Sequence, residues 1–219
     1  MNNPDDADFI ARRLRMVDQQ MVRRGIRNKA VLDAMRTVPR HLFIPEQSQD
    51  KAYHDGPVSI GRGQTISQPY IVASMTEYLR LDPESKALEV GTGCGYQTAV
   101  LSEITPHVFS IERIAGLLED AQARLNRLGY ASVQTMLGDG SEGWPEAAPF
   151  DAIIVTAAAP AIPQTLCDQL VEGGRMVIPV DRGTTGRQDL LGLVRTPTGI
   201  EQEVLYEVRF VPLLGEIDG

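Results

Sequence analysis

From Lys86 onward, short apolar runs alternate with stretches of helical periodicity, and this alternation narrows the possible folds more than any other feature of the chain. Ala87 to Val90, Val108 to Ile111, Val133 to Leu137, Ala152 to Thr156 and Arg175 to Val180 read as five strands, with helices predicted near 96 to 104, 114 to 128 and 163 to 171. Apolar strands separated by helices belong to a parallel sheet covered on both faces, so a doubly wound α/β domain is expected. Leu190 to Arg195 and Val204 to Val211 are joined by Thr196-Pro197-Thr198-Gly199 with no helix between them, which predicts antiparallel strands at one edge.

The first third is organised differently. Residues 8 to 24 read as a helix ending at Gly25, and Asn28 as the N-cap of a second helix from Lys29 to about Thr37, stopped by Pro39. A third helix is predicted from about Gln68 to Leu81, with Pro69 in its first turn. Between them, His41 to Gln68 is punctuated by Pro45, Gly56, Pro57, Gly61 and Gly63. A connection that long inside a compact domain usually serves a site. A length of 219 residues suits one domain, with 1 to 83 as a helical and loop extension and 84 to 219 as the α/β core.

Charge and composition exclude several classes of function. A net charge of −8 repels polyanions on average. Arg12, Arg13, Arg15, Arg23 and Arg24 are interrupted by Ile10, Leu14, Val17 and Met21 at helical spacing, as on the solvated side of an amphipathic helix, so no nucleic-acid partner is expected. No apolar run approaches the roughly 18 residues needed to cross a bilayer, and the chain opens on acidic residues; an unexported, cytoplasmic protein without a membrane partner is expected. Cys94 and Cys167 match neither a zinc spacing nor a disulfide framework, which fits a reducing compartment and no metal.

The first core strand runs into Glu89-Val90-Gly91-Thr92-Gly93-Cys94-Gly95, and a helix follows at once. A dinucleotide fingerprint places its last glycine where Tyr96 stands, so nicotinamide dinucleotides are the weaker reading. Glycines here let the backbone approach a ligand at the carboxyl ends of the strands, where open parallel sheets bind small molecules. Glu112 closes the second strand and is placed to accept hydrogen bonds from ribose hydroxyls. After the third strand, Gly138-Asp139-Gly140 offers a carboxylate to an adenine amino group. Each feature alone also reads as an ordinary turn. Three at successive strand ends on one edge point to a ligand site.

Ala87-Leu88-Glu89-Val90-Gly91-Thr92-Gly93-Cys94-Gly95-Tyr96 resembles the first motif of class I methyltransferases, whose sheet is Rossmann-like and mostly parallel. Val38-Pro39-Arg40-His41-Leu42-Phe43, Ala52-Tyr53 and above all Gly61-Arg62-Gly63-Gln64-Thr65-Ile66-Ser67-Gln68-Pro69 are similar to the signature of the protein-L-isoaspartate methyltransferases. Phe150-Asp151 to Ala158, Leu170 to Pro179 and Phe210-Val211-Pro212-Leu213 extend the likeness over nearly the whole chain after about residue 15. The resemblance implies methyl transfer from S-adenosylmethionine to the free carboxylate of L-isoaspartyl residues in age-damaged proteins, after which the ester cyclises. It implies Ser67 as the active-site residue, with Gln64, Thr65 and Ile66 beside cofactor and substrate. Gly91, with Gly93 and Gly95, would hold the cofactor's amino-acid end, Glu112 its ribose, and Asp139 and Gly140 its adenine. Val72 stands where some members carry a cofactor-touching histidine, so that contact is not expected here.

Ser67 also reads as the N-cap of the helix beginning at Gln68, a role compatible with orienting a carboxylate. His41 and His54 are expected at the surface, and Trp144 in the core. A metabolite methyltransferase and a nucleotide-sensing module are the rival readings; turnover of a metabolite, or cofactor binding without any methyl acceptor, would select them.

Overall fold

The structure is a computed structural model that describes residues 4 to 183 and 186 to 213, leaving the ends of both expected regions outside the described residues. Helix α1 (Pro4–Met16) continues through a π turn, Val17–Met21, and a 3₁₀ turn, Val22–Arg24, as one helical rod that ends at Gly25 with φ 102°. Val17 and Met21 are buried in the widened turn. Helix α2 (Lys29–Thr37) is capped as expected, the Asn28 side chain accepting from the Val31 amide at 3.2 Å. Three of the five arginines on the first rod are paired on its surface, Arg12 with Asp8, Arg23 with Asp18 and Arg24 with Asp55, whereas Arg13 turns its Nε into the interior.

The segment expected as one long loop holds structure of its own. Two 3₁₀ turns, Arg40–Phe43 and Glu46–Lys51, lead into a small antiparallel hairpin of β1 (Val58–Gly61) and β2 (Gln64–Ile66). Its tip is Gly61-Arg62-Gly63, with Gly61 at φ 89°, Arg62 at 52° and Gly63 at 72°. Strands this short carry too little periodicity to be read from a Gly-rich sequence. Helix α3 (Pro69–Leu79) follows.

The core then runs β3 (Ala87–Val90), α4 (Tyr96–Ser102), β4 (Val108–Glu112), α5 (Ala115–Arg127), β5 (Gln134–Leu137), β6 (Phe150–Val155), α6 (Gln164–Asp168), β7 (Leu170–Asp181), β8 (Gln188–Thr196) and β9 (Gly199–Val208). The seven-stranded sheet has the order β5-β4-β3-β6-β7-β8-β9. Strands β3 to β7 are parallel, while β8 and β9 are antiparallel to their neighbours. The chain winds outward from β3 to β5 and resumes at β6 on the other side of β3, which opens a crevice at the carboxyl ends of β3 and β6. Every residue of β3 and β4 is buried. One face packs on Met16, Met21, Met35, Tyr96 and Val100; on the other, Phe109, Ile153 and Met176 of the sheet cluster with Leu166 of α6.

Helix α6 is five residues long and stops well before residue 171, because β7 already begins at Leu170. Leu170 pairs with Phe150 and Arg175 with Ala152, so the residues between bulge from the ladder, Gly173 at φ 80°. Gly173 and Gly174, just past the expected helix, therefore belong to a bulge. Strand β9 ends three residues short of Val211: the Ala158 amide donates to the Val211 carbonyl and the Leu213 amide to the Ala158 carbonyl, which straps 211 to 213 across the strand ends. His41 is not at the surface. It is stacked on Phe9 at 4.0 Å with Nδ1 2.7 Å from the Tyr53 hydroxyl, which satisfies its polarity in the interior. His54 is exposed, and Trp144 packs edge-on against Phe109. Among the described residues no helix is long and apolar enough to cross a membrane.

Candidate functional site

The turn leaving β3 is built around positive-φ glycines. Gly91 adopts φ 96°, and a Cβ there would lie 2.3 Å from Thr156 Oγ1. Thr156, the first residue after β6, donates that hydroxyl to the Gly91 carbonyl at 2.7 Å and the Val90 carbonyl at 3.0 Å, so the two strand ends are tied together. Gly93, at φ 55°, donates its amide to Glu112 Oε2 at 2.8 Å, and Ile114 donates its amide to Oε1 at 2.9 Å. A carboxylate has about four lone-pair positions, so Glu112 can still accept two hydroxyls. Gly140 is held against Val90, whose Cγ1 would be 2.2 Å from any Cβ.

Beneath this turn Glu89 is fully buried. One carboxyl oxygen accepts from the Ser110 and Thr98 hydroxyls, Ser110 in turn meets Thr92 at 2.6 Å, and the other oxygen has no partner. Burial, opposed by those two hydroxyls, pushes the Glu89 carboxyl up to about 8. Burial likewise pushes the Cys94 thiol up, which makes it a poor nucleophile.

Around the turn lies a pocket of about 880 Å³, its open mouth included. Gln64, Thr65, Ile66, Ser67, Gly91, Gly93, Glu112 and Gly140 all line it, so eight of the ten residues expected at the site converge from four separate parts of the chain. Gly95 and Asp139 do not line it. Gly95 is the N-cap of α4, where a Cβ would press on Leu125 at 3.2 Å, so it allows close helix packing. Asp139 caps the next turn: Oδ1 accepts from the Ser141 amide and hydroxyl, and Oδ2 pairs with Arg113 at 3.1 Å. Val72 lines the pocket as an apolar wall, along with Ile60, Ile114 and Leu117, none of which carries a motif that sequence reading could use.

A second pocket, of about 1070 Å³, adjoins the first and is bordered by Pro57, Gln68, Ile71, Arg209 and Phe210. Thr65, Ser67, Thr156 and Val211 line both. The structure moves the helix cap off Ser67: Gln68 is the N-cap of α3, without a side-chain cap bond, because Pro69 occupies the first helical position. Among the described residues the Ser67 and Thr65 hydroxyls have no hydrogen-bond partner, so both can donate to a ligand at the junction. Thr156 and Val211 were not singled out from sequence. Their place at the ends of the sixth strand and of the tail is a signal only once the strand order is known. No group of three or more His, Cys, Asp or Glu converges as a metal site among the described residues.

A pocket with a glycine turn, a carboxylate wall and apolar sides fits a nucleoside bearing a charged tail, and the adjoining pocket offers hydroxyls to a second reactant. Residues 11 to 218 match the family model of protein-L-isoaspartate(D-aspartate) O-methyltransferase. A Synechococcus relative named protein-L-isoaspartate O-methyltransferase is 52% identical over 217 residues, covering 96% of this chain and 89% of its own. A Methylorubrum populi relative of the same name is 54% identical, with 93% and 95% covered. Among solved structures, a protein-L-isoaspartate O-methyltransferase superposes with a TM-score of 0.85 at 28% identity, over 94% of this chain and 67% of that one. A Plasmodium falciparum structure described as an enzyme of the same kind, in complex with S-adenosyl-L-homocysteine, gives 0.79 at 29% identity over 92% and 98%.

Proposed function

The chain belongs to the protein-L-isoaspartate(D-aspartate) O-methyltransferase family, and we propose on that footing that methyl transfer takes place where its two pockets meet, with Ser67 orienting the acceptor. The protein is an S-adenosylmethionine-dependent enzyme that methylates the free carboxylate of L-isoaspartyl residues in damaged proteins and peptides. The cofactor supplies an activated methyl group on a sulfonium. The residues present suit it. Gly91 and Gly93 leave the backbone open toward its amino-acid end, Glu112 has two acceptor positions left for ribose hydroxyls, and Ile114, Leu117 and Gly140 form a wall for the base. Gln64, Thr65 and Ile66 close the opposite side. Asp139 acts one step removed, by holding the turn that begins at Gly140 and by fixing Arg113.

The observation that carries the assignment is that Ser67 lines both pockets with an uncommitted hydroxyl. An isoaspartyl carboxylate, with a reference pKa of about 4, is already ionised at neutral pH, so the chain needs no strong general base. Its task is to hold one carboxylate oxygen in line and to keep water away. Such placement is worth several kcal/mol when reacting atoms are held about 3 to 3.5 Å apart. Ser67 supplies one hydrogen bond for it, and Thr65 and Thr156 flank the same junction.

The net charge of −8 and the surface pairing of Arg12, Arg23 and Arg24 support a reading without a nucleic-acid partner. Two buried free cysteines support a cytoplasmic, reducing compartment. The test uses one peptide in two forms, with L-isoaspartate or with aspartate at the same position. Base-labile methylation is expected only in the first. Ser67→Ala is expected to lower kcat by roughly 10- to 100-fold, the scale of a lost positioning contact, while affinity for S-adenosylhomocysteine stays near the parent's. Parental kcat in Ser67→Ala would remove Ser67 from the reaction.

A further inference from the structure

We propose that Arg40 is a positioning residue for methyl transfer, a buried fork that sets the distance between the cofactor helix and the backbone of Ser67; the inference rests on the reading of Ser67 above. Arg40 opens the 3₁₀ turn Arg40–Phe43 and is completely buried. Its Nε donates to the Ala52 carbonyl at 2.7 Å and its Nη2 to the Ser67 carbonyl at 2.7 Å. The guanidinium carbon lies 4.8 Å from the centroid of the Tyr96 ring. Nη1 has no hydrogen-bond partner, and among the described residues no carboxylate forms an ion pair with the group.

A guanidinium does not lose its charge in a protein, and a buried charge without a counter-ion is costly. Replacing a whole buried ion pair by apolar side chains is often neutral or stabilising; here no ion pair exists, and an apolar side chain would remove the uncompensated charge but deprive the Ala52 and Ser67 carbonyls of a donor each. Two hydrogen bonds set against an uncompensated buried charge make stability alone a poor reason for an arginine here, and its three anchors suggest a better one. Ala52 ends the turn that leads into the hairpin, Ser67 stands at the junction of the pockets, and Tyr96 is the first residue of α4, directly after the glycine turn. One rigid, planar group touches all three. Lysine could reach one carbonyl but could not span the fork while lying over the ring. The arrangement fixes the acceptor loop against the cofactor helix from behind, without touching either reactant.

The test measures kcat and KM for an isoaspartyl peptide, S-adenosylhomocysteine affinity and the unfolding midpoint in Arg40→Met, Arg40→Lys, Ser67→Ala and the Arg40→Met/Ser67→Ala double variant. Arg40→Met is expected to stay folded at the assay temperature, with a midpoint lowered by the two carbonyls left without this donor, and to keep its cofactor affinity while kcat falls about 100-fold, the loss that roughly an ångström of misplacement produces. Arg40→Lys should recover part of it. In the Ser67→Ala background the same substitution should cost far less, because the two residues act through one loop.

A kcat kept within about threefold in Arg40→Met, or a loss equal in both backgrounds, overturns the proposal. So does a fall in cofactor affinity in step with kcat. Failure of the Ser67 reading shows separately, as parental kcat in Ser67→Ala alone. Should neither arginine variant fold, the side-chain Nε–H of Arg40 in the unaltered protein decides by ¹⁵N NMR. It should be protected from exchange and shift when peptide is added to the S-adenosylhomocysteine complex, and absence of that shift overturns the proposal.

Discussion

Gly91 shows how narrow the tolerance of the site is for a single atom. A methyl group there meets the hydroxyl of Thr156 at 2.3 Å and must also sit at φ 96°, a conformation that costs an L-residue roughly 1 to 2 kcal/mol. Gly91→Ala is expected to weaken S-adenosylhomocysteine binding at least about tenfold by calorimetry, since either the turn moves or Thr156 releases it. Glu89 makes a different prediction. Its carboxyl titrates near 8 in the folded protein against 4.5 as an ordinary glutamate, because burial disfavours the charge. Between those values the folded state holds a proton that the unfolded chain has lost. Stability contributed by this group is therefore present in full below pH 4.5 and is lost as pH rises toward 8. Glu89→Gln should flatten that decline. Urea unfolding at pH 5 and pH 8 measures it, and an unaltered slope would assign the decline to other groups.

Among the elements, the β1–β2 hairpin is the least self-sufficient. Its strands are four and three residues long, too short to persist without tertiary support. Val58 and Ile66 anchor it in the core, Ile60 lies over Gly93, and the exposed Arg62 at its tip rests against Gly116 at the start of α5 without a hydrogen bond. Ile60, Gln64, Thr65 and Ile66 put it along the pocket, held by two short strands and not by the seven-stranded sheet. Hydrogen exchange over residues 58 to 66 is therefore expected to be fast in the free protein and to slow on adding S-adenosylhomocysteine. Equal protection in both states would make the hairpin a fixed wall. The glycines that flag this segment as a loop in sequence are the ones that turn the hairpin, so the loop's functional importance was legible and its secondary structure was not.

For the whole molecule, the helical extension and the α/β core share one interior. Met16, Val17, Met21, Val31 and Met35 from the first rods lie in the same cluster as Tyr96, Val100 and Leu101 of α4. That shared cluster is the ground on which we propose that the ranges 1 to 83 and 84 to 219 are roles within one folding unit. Thermal unfolding is expected as a single transition, and a chain lacking residues 1 to 27 should lose soluble expression because it bares that apolar face. Two resolved transitions, or a folded truncated protein, would divide the unit.

What could be determined from the order of residues alone was whatever is local. The strand after Lys86, the glycine turn with Glu112 one strand later, the Asn28 cap and the Gly61 to Pro69 motif each lie within a short window, where periodicity and backbone freedom act directly. The rest depended on which strand ends meet. Thr156 is 65 residues from Gly91 and reaches it only because β6 returns beside β3. Val211 enters the junction because the tail leaves β9 early and pairs with Ala158. Asp139 matched its motif but points into its own turn, and Arg40 lies in a motif whose physical purpose appears only when Ala52, Ser67 and Tyr96 are seen around one guanidinium. Local sequence specifies backbone conformations and candidate groups; the closing of a sheet decides which of those groups come within hydrogen-bond distance of one another.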